Sequence, residues 1–294
     1  MTIGVPVYNG EPYVKDTLAS LLGQDLADIE IVISDNASTD DTESICRSAA
    51  AEDSRVRYSR SAVNRGAAWN YNQVLALATA PYFKWAAADD LCAPDFVGRC
   101  VNALEAGGPS LVIAYPQTTL IDQAGAEIGP LDDHDLILDD ASPARRLGRL
   151  LRHRLEWHPV FGVMRTDVLR TTRQIGTFPS ADIALLAEMA LRGRFEQVPD
   201  RLFRRRYHEE RSIAAGPSFV EQLAWYKPGR RARFAMPQAR LSYELLAAVA
   251  RSPIPPGQKA QAARLVLQRW TVPHLRHIGG EAKIALRTVR RPRD

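Results

Sequence analysis

Residues 83–94 read FKWAAADDLCAP: an apolar run ends in two adjacent carboxylates, Asp89 and Asp90, and a proline-opened segment follows. Like charges at neighbouring positions repel, and burying either is costly unless a cation or hydrogen-bond donors compensate. A buried strand that stops on such a pair sets the carboxylates at the edge of a sheet, where a divalent cation would make their closeness useful. Taken alone, an Asp-Asp pair is a weak signal, because most such pairs are solvated turn or helix-capping residues. Its weight depends on what the neighbouring strands bring to the same edge.

Working outward, short β-rich runs alternate with helical patterns over the first 115 residues. TIGVPVY (2–8) reads as a strand and EPYVKDTLASLLGQ (11–24) as a helix, with Pro12 near its first turn. Val14, Leu18, Leu21 and Leu22 recur at helical spacing along that segment. IEIVIS (29–34) is a second strand, STDDTESICRSAAAE (38–52) a helix opened by capping residues, and RVRYS (55–59) a third strand. GAAWNYNQVLALATA (66–80) is helical, YFKWAAA (82–88) a fourth strand, APDFVGRCVNALEAG (93–107) helical and LVIAY (111–115) a strand. This alternation predicts an α/β fold, with a mostly parallel central sheet flanked by helices. Such sheets bind ligands beyond the carboxyl ends of their strands. Tyr8, Asn9 and Glu11, then Asp35 and Asn36, then Asp89 and Asp90 are therefore expected to face one crevice.

Beyond that half, 116–157 is polar and irregular, with an acidic patch (131–140) before a basic helix (144–155). PVFGVMR (159–165) reads as a strand and SADIALLAEMALRGRF (180–195) as a helix. RLFRRRYHEERS (201–212) begins as a strand and ends in a charged loop, and helical patterns dominate from about residue 216. The expected division is a domain over 1–215, with halves 1–115 and 116–215, followed by a basic helical extension over 216–294.

Composition is that of a soluble globular protein, with 46% hydrophobic and 24% charged residues. No run approaches the roughly 18 apolar residues that span a bilayer, and no signal peptide is visible at Met1. Three cysteines without metal-ligand spacing read as reduced, structural thiols, which favours the cytoplasm. The net charge of +4 conceals an asymmetry, since residues 217–294 balance to +11 and the rest to −7. A basic tail on an acidic body suggests an anionic partner such as a membrane surface; a solvated arginine-rich face is the plain alternative.

The segment VPVYNGEPYVKDTLASLLGQ, IEIVISDNASTDDT and NRGAAWNYNQVLALATAPYFKWAAADD resembles the nucleotide-binding half of glycosyltransferase family 2. A weaker likeness extends through HPVFGVMRTDVLR to about residue 213. The resemblance implies a GT-A (Rossmann-like) fold and an inverting, metal-dependent transfer from a nucleotide-diphospho-sugar to a sugar, lipid-linked or small-molecule acceptor. It implies that Pro6, Tyr8 and Glu11 hold base and ribose, that Asp35 accepts from the base beside Asn36, and that Asn64, Arg65 and Gly66 start a helix suited to phosphate. Asp89 and Asp90 match the family's acidic motif and, with His208, would bind Mn2+ or Mg2+, with Asp89 also touching the donor. The motif commonly reads Asp-x-Asp-Asp, so Ala87 stands where a first acid would, leaving Asp89 the principal ligand.

Asp182 falls where inverting members keep a catalytic base; as a plain alternative it interacts with the helix dipole. Glu188 is the fallback, and Arg211 and Ser212 would reach the diphosphate. Trp157 and His158 either line the acceptor pocket or, for His158, sit in the core, and Trp69, Trp85 and Tyr207 read as packing. The implied setting is cell-envelope polysaccharide, glycolipid or natural-product glycoside synthesis, in the cytoplasm or at the inner face of the membrane. Two rivals are a non-catalytic relic of the fold, mildly favoured by Ala87, and a sugar-phosphate nucleotidyltransferase, which would need a Gly-rich loop where the chain has VYNGEPY. No G-x-G-x-x-G follows the first strand, and no aromatic–basic interleaving supports nucleic-acid binding.

Overall fold

A computed structural model describes residues 1–131, 136–152, 158–208, 225–226 and 236–290. The first half follows the expected alternation: β1 (Thr2–Val7), α1 (Val14–Leu22), β2 (Glu30–Asp35), α2 (Thr42–Glu52), β3 (Val56–Arg60), α3 (Ala67–Leu77) and β4 (Tyr82–Trp85). A two-residue strand β5 (Leu91–Cys92), α4 (Phe96–Ala106), β6 (Leu111–Ile121) and β7 (Glu127–Pro130) come next. Then come α5 (Pro143–Leu150), a 3-10 turn (His158–Phe161), β8 (Val163–Arg165), α6 (Thr166–Arg170), α7 (Ala181–Arg192) and β9 (Arg194–Arg206). Three helices end the described chain: α8 (Pro237–Arg251), α9 (Pro256–Val266) and α10 (Leu275–Arg290), with a π-helical turn (Leu267–Thr271) between the last two.

The strands form one sheet in the order β3-β2-β1-β4-β8-β6-β9-β5, with β7 paired to β6. β3, β2, β1 and β4 run parallel; β8 is antiparallel to both β4 and β6, and β6 and β9 pair in parallel. The sheet is therefore parallel where it meets the first three loops and mixed beyond β4. β6 runs six residues past its expected end at Tyr115. Pro116 is carried at register shifts between Pro116 and Thr118, because a strand tolerates proline where its ladder is already interrupted. Of the expected strand 159–165, only the last three residues are extended; Pro159 and its neighbours form the 3-10 turn.

The two-residue period of the strands divides the core. Ile3, Val5, Val7, Ile31 and Ile33 face α1, α2 and α4, whereas Val32, Phe83 and Trp85 face the layer containing α3 and α7. Gly4 lets α3 come down on β1: a Cβ there would lie 2.7 Å from the Val74 side chain and 2.8 Å from Phe83. α8 and α9 are part of this second layer, with Leu241, Leu245 and Val249 of α8 and Val266 of α9 buried alongside Leu185 and Leu186 of α7.

Two buried glutamates bind the same layers together. Glu188 of α7 accepts from the Arg251 guanidinium and, at 3.2 Å, from the Arg173 amide; Arg192 lies 3.5 Å away. Glu244 of α8 is paired with Arg173 and with Arg240 at 2.6 Å. Removing one member of such a cluster leaves the remaining buried charge uncompensated. Glu188→Ala is expected to lower the unfolding free energy by about 2 kcal/mol, read from urea denaturation, since the outer guanidiniums keep some access to water.

Candidate active site

The carboxyl ends of β1, β2 and β4 open onto a cleft of about 310 Å³. Pro6, Tyr8 and Glu11 form one wall, Asn36 and Asn64 the next, and Asp89, Asp90 and His208 lie across from them. Asn9, with φ +51°, turns the chain out of β1, and its Oδ1 accepts from the Thr39 amide at 2.9 Å. The Gly10 amide donates to Thr42 Oγ1 at 2.8 Å, and the Asp41 amide donates to Glu11 Oε2 at 3.2 Å, so the loop after β1 holds the start of α2. Asn36 Nδ2 donates to Asn64 Oδ1 (2.9 Å), and Asn36 Oδ1 accepts from the Arg65 amide (2.9 Å). Asn64 Oδ1 also accepts from the Gly66 amide (2.8 Å), fixing the entry to α3, where Gly66 takes a φ of +86° that favours glycine.

Two expected contacts take a different form. Asp35 is fully buried and does not line the cleft. Its carboxylate accepts from the Ser38 amide (2.8 Å), three residues on, and the β2–β3 register sets the Tyr58 hydroxyl (2.8 Å) and Arg60 Nε (3.4 Å) beside it. Asp35 therefore holds the loop carrying Asn36 to β3. Arg65 places its guanidinium over Trp69, 4.9 Å from the ring centroid, and does not line the cleft either. Arg211, Ser212 and Trp157 lie outside the described residues.

The two adjacent acids have separate environments. Asp89 Oδ2 lies 2.9 Å from His208 Nε2, and the His208 ring packs on Tyr13 with centroids 4.8 Å apart. Asp90 turns inward, where its Oδ1 accepts from the Arg206 amide at 2.9 Å. Arg206 Nε donates to the Asp89 carbonyl (2.8 Å) and Nη1 to the Gln123 carbonyl (2.8 Å), so one arginine ties both acids to the loop after β6. Burial, reinforced by the charge of Asp89, raises the Asp90 carboxyl well above its ordinary range; the Arg206 amide, Arg205 and Lys84 offset part of this. A group whose folded pKa is raised favours the fold at low pH and loses that contribution as pH rises. Asp90→Asn keeps an acceptor oxygen for the Arg206 amide without the charge. The metal-free variant should match the wild type in thermal stability near pH 4 and exceed it increasingly toward neutral pH and above, as scanning calorimetry across pH would show.

Asp182 lies in the first turn of α7, which follows Ser180 at φ +64°. Burial raises its carboxyl, while the amides of Ile183 and of Asp182 itself oppose the rise. The Tyr71 phenol, on α3 in the cleft wall, is raised by burial and then by the charges of Asp89, Asp90 and Asp182. The Tyr226 phenol is raised by burial and by Asp182. Asp182 itself is not among the residues lining the cleft. Glu188 does not join them, being held within the α7–α8 arginine cluster. His158 is buried with its ring nitrogens 3.4 Å from Arg205 Nη1.

Several cleft residues were not singled out from the sequence: Asn70, Tyr71, Phe161, Arg205, Arg206 and Trp225. Asn70 donates from Nδ2 to the Val7 carbonyl (3.1 Å), leaving its buried Oδ1 without a partner. Its helical spacing from Gly66, one turn earlier, was the available signal. Three consecutive arginines at the end of a strand were the signal for Arg205 and Arg206. Trp225 is 40% exposed on the cleft wall and packs edge-on against Tyr226 at 4.8 Å.

The residues fit a divalent ion in part. Two cis ligand atoms each about 2.1 Å from an octahedral ion stand about 3.0 Å apart, close to the 2.9 Å between Asp89 Oδ2 and His208 Nε2. Asp90 lines the cleft as well, but it is buried and one of its carboxylate oxygens is engaged with the Arg206 amide. Among the described residues, no group of three or more His, Cys, Asp or Glu side chains is arranged to hold a metal. Such a site would rely on substrate oxygens and water for its remaining ligands, as Mg2+ sites commonly do.

The fold that presents this cleft is the GT-A glycosyltransferase fold. It superposes on Staphylococcus aureus TarS 1-349 in complex with UDP-GlcNAc at a TM-score of 0.69, with 15% identity, covering 98% of this chain and 81% of that one. The mannosyltransferase PcManGT of Pyrobaculum calidifontis, in complex with GDP-Man and Mn2+, superposes at 0.53 with 18% identity, covering 99% and 76%. Residues 2–126 match the model of glycosyl transferase family 2. An uncharacterized glycosyltransferase of Rickettsia typhi is 32% identical over 123 residues, and the chondroitin synthase of Escherichia coli 32% identical over 125. Each alignment covers 42% of this chain, but only 37% and 18% of the respective relative.

Proposed function

We propose that the protein is an inverting glycosyltransferase that moves a hexosyl or deoxyhexosyl unit from a nucleotide-diphospho-sugar to an acceptor hydroxyl. The observation that carries this reading is the gathering of Tyr8, Asn36, Asp89 and His208 in one cleft at the carboxyl ends of parallel strands. Pro6, Tyr8 and Glu11 face the nucleoside, and Asn36 and Asn64 order the loop beneath it. Asp89 and His208 would hold Mn2+ or Mg2+, which as a Lewis acid neutralises charge on the departing diphosphate. Asp90 orients this edge through Arg206. Asp182, its carboxyl raised by burial, takes the proton of the acceptor hydroxyl as that oxygen attacks the anomeric carbon. Donor complexes in the solved neighbours, UDP-GlcNAc with TarS and GDP-Man with PcManGT, motivate the donor class.

The acceptor is a sugar, a lipid-linked or a small-molecule hydroxyl, in the synthesis of envelope polysaccharide, glycolipid or a natural-product glycoside. Residues 1–215 form the catalytic domain in this reading, with donor and acceptor halves meeting near residue 115. The basic segment 216–294 gives peripheral association with the inner face of a membrane. A transfer assay with labelled UDP-, GDP- and dTDP-sugars, run with Mn2+ and with a chelator, tests the enzymatic reading. Turnover of at least one donor, lost on chelation, is expected. Tight nucleotide binding with no turnover of any donor would instead mark a binding relic, the reading that Ala87 favours.

A further inference from the structure

The π-helical turn and the start of α10 carry an apolar ridge on the outside of the molecule. Leu267, Val272 and Leu275 are 44%, 57% and 53% exposed. The Val272 amide donates to the Leu267 carbonyl across the wide turn (2.8 Å), and the Leu275 amide donates to the Val272 carbonyl (3.2 Å). The three residues therefore succeed one another turn by turn along one side. No helix among the described residues is long and apolar enough to cross a membrane, so a lipid partner here would be met at its surface.

The surrounding charge selects the partner. Residues 256–290 contain seven Lys and Arg and one acid, Glu281. Glu281 is already engaged, its carboxylate accepting from the Gln238 and Ala239 amides at the start of α8. Elsewhere on the surface, Arg47, Arg55, Arg57, Arg60 and Arg99 pair with carboxylates. By contrast, exposed Arg152, Arg264, Arg276 and Lys283 have no ion-pair partner among the described residues. Arg269 of the π-helical turn donates to the Gly148 carbonyl of α5, the helix that ends just before Arg152, which brings Arg152 near that turn. A second copy of this face would bring like charges together.

We infer that the Leu267–Val272–Leu275 ridge is the insertion edge of a docking surface for an anionic lipid bilayer. The aliphatic side chains enter the headgroup–acyl boundary, and the encircling cations meet lipid phosphates. This deepens the reading of the basic segment as membrane-associated by naming the residues that enter the lipid.

Deleting the segment would not test the ridge, because α8 and α9 share the central core. The full chain is instead sedimented with vesicles of phosphatidylglycerol and phosphatidylcholine, and with vesicles of phosphatidylcholine alone. The wild type should bind the anionic vesicles, and added salt should weaken that binding. The triple variant Leu267→Ser, Val272→Ser, Leu275→Ser should bind at least about tenfold more weakly with an unchanged melting temperature. Arg152→Gln combined with Arg276→Gln and Lys283→Gln should abolish the preference for anionic lipid. Failure of the wild type to bind anionic vesicles overturns both the inference and the membrane reading. Wild-type binding retained in full by the folded serine variant overturns the ridge alone. Light scattering that shows a wild-type dimer and a monomeric serine variant would reassign the ridge to a subunit interface.

Discussion

Asp89→Ala is expected to reduce transfer by about a thousandfold or more, measured as kcat/KM with saturating Mn2+. The size of the effect follows from how few ligands the chain offers. With alanine at 87 and Asp90 turned toward the Arg206 amide, Asp89 and His208 are the pair positioned for an ion. Loss of Asp89 leaves His208, whose Nδ1 is buried without a partner, with no group to fix Nε2. The same substitution should weaken Mn2+-dependent nucleotide binding in calorimetry while leaving metal-free binding nearly unchanged, because the cleft residues Pro6, Tyr8 and Asn36, to which the proposed function assigns the nucleoside, lie at the ends of other strands. A variant that keeps metal-dependent binding and full activity would remove the ion from this edge.

Asp182→Asn should separate the two substrates. The donor wall does not include position 182, so the donor Kd should stay within about twofold, while kcat falls by about 10²- to 10⁴-fold. The pH profile carries the sign. A base must be ionised to act, and burial raises the Asp182 carboxyl, so the wild-type rate should decline on acidification at a higher pH than for a solvated aspartate. The residual activity of the asparagine variant should lack that acidic limb. A variant whose main defect is donor affinity, with the acidic limb intact, would assign Asp182 to the N-terminus of α7 as a structural residue.

How far the residues disclose this arrangement depends on whether the interaction is local. The strands β1 to β4 were legible because parallel, two-sided strands read as apolar runs punctuated by polar loops. β5 is too short to show a period, and β6 was cut short because residues from 116 on read as polar and irregular although the strand continues to Ile121. Tyr8, Asn36, Asp89 and His208 were placed in one cleft from their positions at strand ends or in the family pattern. Asp35 was placed there by the same rule, but its orientation is set by Ser38, Tyr58 and Arg60, and the latter two become its neighbours only through strand register. Arg206 was read as part of a strand, and nothing local indicates that it grips Asp89, Asp122 and Gln123 together. The Glu188 and Glu244 clusters depend on helices from distant parts of the chain, which is why Glu188 could look like a reserve base.

The bonds closing the acidic edge bridge unusually long loops: Asp90 to the Arg206 amide spans 116 residues, and Asp89 to His208 spans 119. On a growing polypeptide, the family segment 2–126 is complete long before either partner exists. The cleft loops after β1 and β2 can therefore assemble early, whereas the acidic pair stays unsupported until β9 pairs with β6. A ribosome-bound chain shorter than 208 residues lacks His208, and one shorter than 206 lacks Arg206 as well, so the two acids gain their partners only after the rest of the cleft has been made.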